Sequence, residues 1–362
     1  MLSDAGESAD PLGAWDALAA LRQLNRLRLA SDHRGGQVVS SGRPAHLKIE
    51  LTNFCNLACP MCPHPQMQRE VGYMREPLFR RIIDQAIPEL EFAYLHHLGE
   101  SLFHGRIGDF IRYGRSRGVA MGLSTNATYL DRRKGRLLLE GGLDFLVISL
   151  DGATPESYGR MRVGGDFAST VRNVRSFLTL KRQIPNQTTV VVQLLVTDHN
   201  RHEIQHFAQL WAELPQVHVM IKEARDWAGQ VLLPLGRRSA AQARPLPAPL
   251  LSTESACRLL WTELTVLWDG QVVPCANVFE HQNVLGDLSQ QPLEAVWNGA
   301  PMQALRLAHL RNQVGSIPVC RSCPRHKFEH ADFVAVDQLT QRLRNYARTG
   351  ADADLAPRPG LS

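Results

Sequence analysis

Three cysteines, Cys55, Cys59 and Cys62, crowd the segment LTNFCNLACPMC at residues 51–62. It lies at the end of an alternating run, HLKIELT at residues 46–52, whose period of two marks a strand. Three thiolates on one short loop can hold three irons of a cubane iron–sulfur cluster, leaving the fourth iron without a protein ligand. That open iron is where chemistry would occur. Disulfides would need an oxidising compartment, yet the opening residues MLSDAGESADPLGAW have neither a basic stretch nor an apolar core of the secretory kind. A zinc site would normally take four ligands and would have to borrow one here, for example His64.

The other four of the seven cysteines are Cys257, Cys275, Cys320 and Cys323, so none is left over once both groups are ligated. Four thiolates complete a closed cluster. On spacing alone, a structural zinc held by four cysteines is the competing assignment.

A chain of 362 residues has room for about two domains. No apolar stretch approaches the roughly 20 residues that cross a bilayer, so a cytoplasmic protein with no membrane association is expected. The net charge of +5 comes with only five lysines among 40 basic residues, an arginine bias typical of GC-rich genomes. The basic residues are scattered except for Arg132, Arg133, Lys134 and Arg136 and a second group, Arg321, Arg325 and Lys327. A nucleic-acid face would need a longer basic stripe or aromatic platforms. Such patches suit instead an acidic electron donor such as flavodoxin or ferredoxin, or simply a solvated face.

Residues 12–30 place Trp15, Leu18, Leu21, Leu24 and Leu27 about one turn apart, predicting an amphipathic helix that covers one end of the core. From residue 46 the pattern alternates. Strands are expected near 47–52, 92–98, 119–124, 145–150, 189–196 and 217–222, with helices between them. In one such helix, residues 77–86, Pro77 suits the first turn and Leu78, Phe79, Ile82, Ile83 and Ala86 form the apolar stripe. Gly118 should stop the next helix before its strand. Repeated strand–helix units imply an α/β fold with a parallel sheet and outer helices. The expected organisation is an N-terminal helical segment (1–45), a parallel strand–helix domain (46–227), a Pro-, Ala- and Arg-rich linker (228–253), a small cysteine domain (254–330), and a C-terminal helix with a disordered tail (331–362).

The Cys-x-x-x-Cys-x-x-Cys loop resembles the signature of the radical S-adenosylmethionine (SAM) superfamily. That resemblance implies a partial (β/α)6 TIM-like barrel, an active site at the C-terminal strand ends, and a free iron that chelates SAM, whose reductive cleavage gives a 5'-deoxyadenosyl radical. Further motifs carry the likeness. Leu98-Gly99-Glu100-Ser101 looks like the glycine–glutamate motif that accepts hydrogen bonds from the SAM ammonium. Ser124 and Asn126 lie where the ribose is contacted, and the stretch from Val147 through Ser149, Asp151 and Gly152 to Gly165 resembles a segment common in SPASM-containing members. Ser149 and Arg162 are implied partners of the SAM carboxylate, since a guanidinium matches a carboxylate bidentately. Gln193 comes from strand five, and Asn200 with Glu203 matches a frequent continuation. Met61 stands where an aromatic contact to adenine is frequent, and the glycine motif lacks its first glycine.

Residues 257–323 resemble the C-terminal SPASM or "twitch" domain through Val266-Leu-Trp-Asp-Gly270, Pro274-Cys275, Leu285-Gly286-Asp287-Leu288, Ala295-Val-Trp-Asn298 and the closing Cys-x-x-Cys. Full SPASM domains carry about twice as many cysteines. The short form implies one auxiliary cluster, and two 4Fe–4S clusters in all. The pattern is similar to aminoglycoside-pathway dehydrogenases of the 2-deoxy-scyllo-inosamine dehydrogenase type and to their spectinomycin- and hygromycin-pathway relatives. It implies oxidation of a secondary alcohol on a sugar or aminocyclitol intermediate, actinospectose-like compounds included, within antibiotic biosynthesis. The auxiliary cluster would take the second electron. His97, Lys222 and Glu223 are the candidates for the general base, with Arg162 as a substrate clamp. The alternatives are an epimerase of the same fold, which needs a thiol to return hydrogen, a peptide maturase, and a non-enzymatic iron–sulfur or zinc protein.

Overall fold

A computed structural model describes residues 11–212, 214, 216–231 and 256–323, without the side chains of 11–16 and 212. Most of the expected linker, the C-terminal helix and tail, Trp15's packing, Arg325 and Lys327 therefore lie outside the described residues.

Among the described residues, five strand–helix units and a sixth strand follow one another. They are β1 (His46–Ile49) and α2 (Glu76–Ala86), β2 (Phe92–Tyr94) and α3 (Ile107–Ser116), β3 (Ala120–Thr125) and α4 (Arg132–Glu140), β4 (Phe145–Ser149) with α5 (Pro155–Met161) and α6 (Phe167–Gln183), β5 (Thr189–Val196) and α7 (Ile204–Ala212), and β6 (Val217–Glu223), preceded by α1 (Pro11–Arg34). All six strands pair in parallel, in the order β6-β5-β4-β3-β2-β1. The sequence expectation for this partial barrel is met, with β1 and β2 ending a few residues earlier than their patterns suggest because both chains turn off into loops at the site.

The pleat explains the layering. Leu47, Ile49, Ala93, Leu95, Met121, Leu123, Leu146, Ile148, Val190, Val192 and Leu194 are at most 1% exposed and pack into the main core with helix residues such as Phe79, Ile82, Ile83, Phe110 and Phe177. Full burial of such a side chain stabilises by roughly 1.5–3 kcal/mol. The intervening residues line the concave face, and register aligns them: Lys48 beside Tyr94, Tyr94 beside Gly122, Ser149 beside Gln193, Leu195 beside Lys222. Gly118, at φ +73°, does stop α3 before β3.

The later cysteine segment continues the same sheet. β7 (Glu263–Val266) pairs in parallel with β1, and β8 (Gln271–Val273) and β9 (Gly286–Asp287) add antiparallel, making nine strands. Helices α8 (Leu293–Trp297), α9 (Ala300–Leu310) and α10 (Pro318–Arg321) complete the segment. No described helix is long and apolar enough to cross a membrane.

Helix α1 departs from the expected stripe. Leu21, Leu24 and Leu27 are 49%, 44% and 58% exposed, while Asn25, Leu29 and Asp32 are buried. Polar anchors set the rotation. Asn25 exchanges two 2.9 Å hydrogen bonds with the Arg43 backbone, the Asp32 carboxylate accepts from Ser40 Oγ and Ser41 N, and Arg22 donates to the Pro88 and Leu90 carbonyls. The partly buried bonds among these are costly to leave unmade, so they override an apolar period.

Candidate active site

The cysteine loop leaves β1 and is braced by the protein's own hydrogen bonds. Cys62 N donates to the Cys59 carbonyl at 3.0 Å, Leu57 N points at Cys55 Sγ at 3.5 Å, and Glu100 N donates to the Phe54 carbonyl at 2.7 Å. His64, the side chain a zinc site would have borrowed, instead bonds the Asn53 carbonyl at 2.8 Å through Nε2. Leu57, Met61, Met161 and Leu195 make an apolar wall behind the three thiols. Burial, the leading cause, pushes the Cys55 thiol up to about 11 and the Cys62 thiol up to about 12, and the neighbouring thiols add to the rise. Bare thiolates are thus disfavoured there, and a cationic partner is needed to stabilise them. Arg162 Nη1 lies 3.7 Å from Cys59 Sγ and Asn126 Nδ2 lies 3.9 Å from Cys55 Sγ, so both donors face the thiol set.

Strand ends supply the surroundings. Gly99 has φ +78°, and a Cβ there would sit 2.8 Å from the Asn53 backbone and closer still to the Thr52 carbonyl, so only glycine lets this turn lie against the cysteine loop. Glu100 is 1% exposed, and its carboxylate accepts from Leu102 N at 3.1 Å, Thr125 Oγ1 at 2.8 Å and Asn126 N at 2.7 Å. Burial pushes its pKa up. Its visible work is to bind the β2 loop to the end of β3. Ser124 Oγ and Ser149 Oγ are 3.3 Å apart, and Gln193 Nε2 donates to Ser149 Oγ at 3.4 Å, bringing these three onto one polar patch of the concave face.

Asp151, at φ +61°, is fully buried, accepts from Leu195 N at 2.7 Å and pairs with Arg162 at 2.5 Å. The pair aims the guanidinium at the thiols, and the neighbouring Asp151 charge helps to raise the Arg162 pKa despite burial. Glu203, beside Asn200 on the next loop, takes no part in this face; its carboxylate caps the Ala153–Ser157 turn.

The three candidate bases separate. His97 is buried with its Nε2 3.0 Å from the Val278 carbonyl, tying the β2 loop to the later cysteine segment. Glu223 is exposed and pairs with Arg201 on the surface at 2.8 Å. Lys222 is exposed and shares the concave side of Leu195 by register. His96 is not singled out by the sequence pattern. Its ring lies 6.1 Å from Tyr94 on the concave side, its Nδ1 is buried without a hydrogen-bond partner, and burial pushes its pKa down to about 4. Only the residue-by-residue alternation through Tyr94 could have distinguished His96 from His97. Of the expected basic run, Lys134 is buried and donates to the His104 carbonyl at 3.2 Å, while Arg136 pairs with Glu140. Arg132, Arg133 and Arg136 are the exposed members of that run.

The second thiol group gathers below β7 and β8. Cys275, Cys320 and Cys323 pack with Ala228, Leu267, Val273, Val278 and Val319. Burial, then the nearby Cys275, Cys257 and Cys323, raises the Cys320 thiol strongly. All seven cysteines are unbridged. Among the described residues no three His, Cys, Asp or Glu side chains converge closely enough for a single metal ion. Cys257 packs against the main core near Cys320, and two sets of thiols against apolar side chains are the donor chemistry that iron–sulfur clusters take.

Two family profiles match the chain: the radical SAM superfamily over residues 49–210 and the SPASM iron–sulfur cluster-binding domain over residues 257–324. The chain carries a radical SAM domain followed by a SPASM domain. The radical SAM domain binds SAM and a 4Fe–4S cluster, and the SPASM domain adds auxiliary cluster binding. Among curated relatives, the tungsten-containing aldehyde ferredoxin oxidoreductase cofactor-modifying protein of Pyrococcus furiosus is 27% identical over 251 residues, 64% of this chain and 70% of the relative. The PqqA peptide cyclase of Streptomyces rochei is 25% identical over 355 residues, 89% of this chain and 90% of the relative. Among the solved structures that share the fold are BtrN and SuiB. BtrN in complex with AdoMet and 2-DOIA has a TM-score of 0.53 at 16% identity, covering 77% of this chain and 92% of BtrN. Streptococcus suis SuiB bound to the precursor peptide SuiA has a TM-score of 0.60 at 14% identity, covering 78% of this chain and 70% of SuiB.

Proposed function

We propose that this radical SAM–SPASM protein is a dehydrogenase that oxidises a secondary alcohol to a ketone on an aminoglycoside or aminocyclitol-sugar intermediate. The observation that carries the reading is the distribution of its thiols. Three stand at the open-cluster loop and four at the SPASM segment, leaving no cysteine to return a hydrogen atom as an epimerase requires. When bound, the two clusters and SAM supply a hydrogen-abstracting radical and a one-electron acceptor. In this reading Cys55, Cys59 and Cys62 hold the SAM cluster, and Cys257, Cys275, Cys320 and Cys323 hold the auxiliary one.

The chain's own task is to orient the alcohol and remove its proton. Lys48, Tyr94, His96, Ser124, Ser149, Gln193 and Lys222 give the concave face hydroxyl, amide, imidazole and ammonium groups suited to a polyhydroxylated substrate. His96, whose Nδ1 is buried without a hydrogen-bond partner, is the group placed to accept a hydrogen bond from or donate one to a substrate hydroxyl; the lowered pKa that burial gives it makes it a weak base. BtrN, with AdoMet and 2-DOIA bound, supports this substrate class by its shared fold. A flavodoxin or ferredoxin would serve as electron donor.

A second reading, peptide modification, is favoured by the PqqA peptide cyclase relative, which spans 89% of this chain. Substrate deuterated at the carbinol carbon separates the two readings. Dehydrogenation transfers deuterium to 5'-deoxyadenosine and yields one ketone per SAM cleaved. Turnover of a precursor peptide, with no labelled nucleoside from any aminocyclitol glycoside tried, would replace the proposal with the second reading.

A further inference from the structure

Between β6 and the SPASM segment, Trp227, Ala228 and Gly229 adopt φ values of +52°, +62° and +82° in succession. Two of the three are not glycine, and such residues are strained unless their surroundings hold them. The holding contacts reach in two directions. Toward the SAM-cluster loop, Trp227 Nε1 donates to the Met61 carbonyl at 3.0 Å. That carbonyl belongs to the peptide leading into Cys62, whose N–H donates to the Cys59 carbonyl at 3.0 Å. The peptide carrying the third thiol is therefore fixed on both of its faces. Toward the auxiliary site, Ala228 packs with Cys275, Cys320 and Cys323, and Gly229 lies against Ser322. Gln230 Nε2 donates to the Trp227 carbonyl at 2.7 Å and to the Asn277 carbonyl at 2.9 Å, and Asn277 Nδ2 points at Cys323 Sγ at 3.5 Å. The Trp227 ring also meets Phe279 edge-on at 6.5 Å.

We propose that Trp227 is a positioning residue coupling the two thiol sites: packing around the auxiliary thiols holds the 227–230 turn, and the turn holds Cys62 through the Met61 carbonyl. The inference is independent of the substrate class, because it concerns only this chain's residues and the two clusters. No electron need pass through the indole.

The test is a double-mutant cycle on the full reconstituted chain, combining Trp227→Phe with Cys320→Ala. Trp227→Phe keeps an aromatic ring on the Phe279 side and removes the N–H together with the five-membered part of the indole. Iron content, the paramagnetic resonance spectrum of the reduced SAM cluster and the SAM dissociation constant are measured for each. Trp227→Phe should retain both clusters, alter the SAM-cluster spectrum and weaken SAM binding about fivefold, the factor expected for one lost hydrogen bond. Cys320→Ala should produce a similar change, and the double variant little more than either alone. Additive effects, or a wild-type spectrum and SAM affinity in Trp227→Phe, overturn the proposal. Should Cys320→Ala fail to fold, Trp227→Phe alone still decides, since a merely structural tryptophan would not move the SAM-cluster spectrum.

Discussion

Glu100 shows how one carboxylate can be committed before a ligand arrives. Both of its oxygens are occupied by donors from Leu102, Thr125 and Asn126. In Glu100→Gln an amide N–H would face these donors, so we expect a stability loss of about 1–3 kcal/mol. SAM affinity should fall with it, because the same bonds place the Gly99 turn and Asn126. A denaturation curve and a SAM titration check this; a large affinity loss at wild-type stability would mean direct contact with SAM. At the cluster loop, Cys55→Ala, Cys59→Ala or Cys62→Ala should each abolish 5'-deoxyadenosine formation, and wild-type turnover in any one of them would remove it as a ligand.

Residues that repeat a local pattern were legible from sequence, and residues whose meaning depends on a distant partner were not. The close spacing of Cys55, Cys59 and Cys62 declares a shared loop. Nothing local shows that Arg162, 103 positions from Cys59, turns its guanidinium toward that thiol, or that Trp227 caps a carbonyl 166 positions away.

At the scale of elements, β3 to β6 followed their alternation closely, since buried apolar faces fix a strand's period. Helix α1 did not follow its leucines, because Asn25, Asp32 and Arg22 hold fixed backbone partners. The β2 loop carries two element-level expectations. Gly99→Ala should cost several kcal/mol and prevent cluster loading, as its Cβ would strike the backbone of Thr52 and Asn53; iron content measures this. His97 is held neutral, its pKa pushed from 6.5 down to about 3, chiefly by burial. The sign follows: above 6.5 neither state binds the proton, whereas below 6.5 only the unfolded chain does, so stability falls as pH drops toward about 3. His97→Gln should remove up to about 1.4 kcal/mol per pH unit from that slope. Denaturation at pH 7.5 and 5.5 gives the comparison, and equal slopes would show that the ring titrates normally.

For the whole molecule, the consequence lies in the order in which its sheet can be finished. β1 leads the barrel in sequence, yet its second edge is covered by β7, from residues 263–266. Some two hundred residues must emerge before that edge closes, and an unpaired parallel edge is slow to satisfy and prone to capture other chains. A chain ending at residue 231 should thus aggregate on expression while the full chain stays monodisperse in the same buffer, a difference that size-exclusion chromatography reads directly. Synthesis itself becomes a timed interval, during which the thiols of residues 55–62 sit beside an unfinished sheet waiting for the strand that closes it.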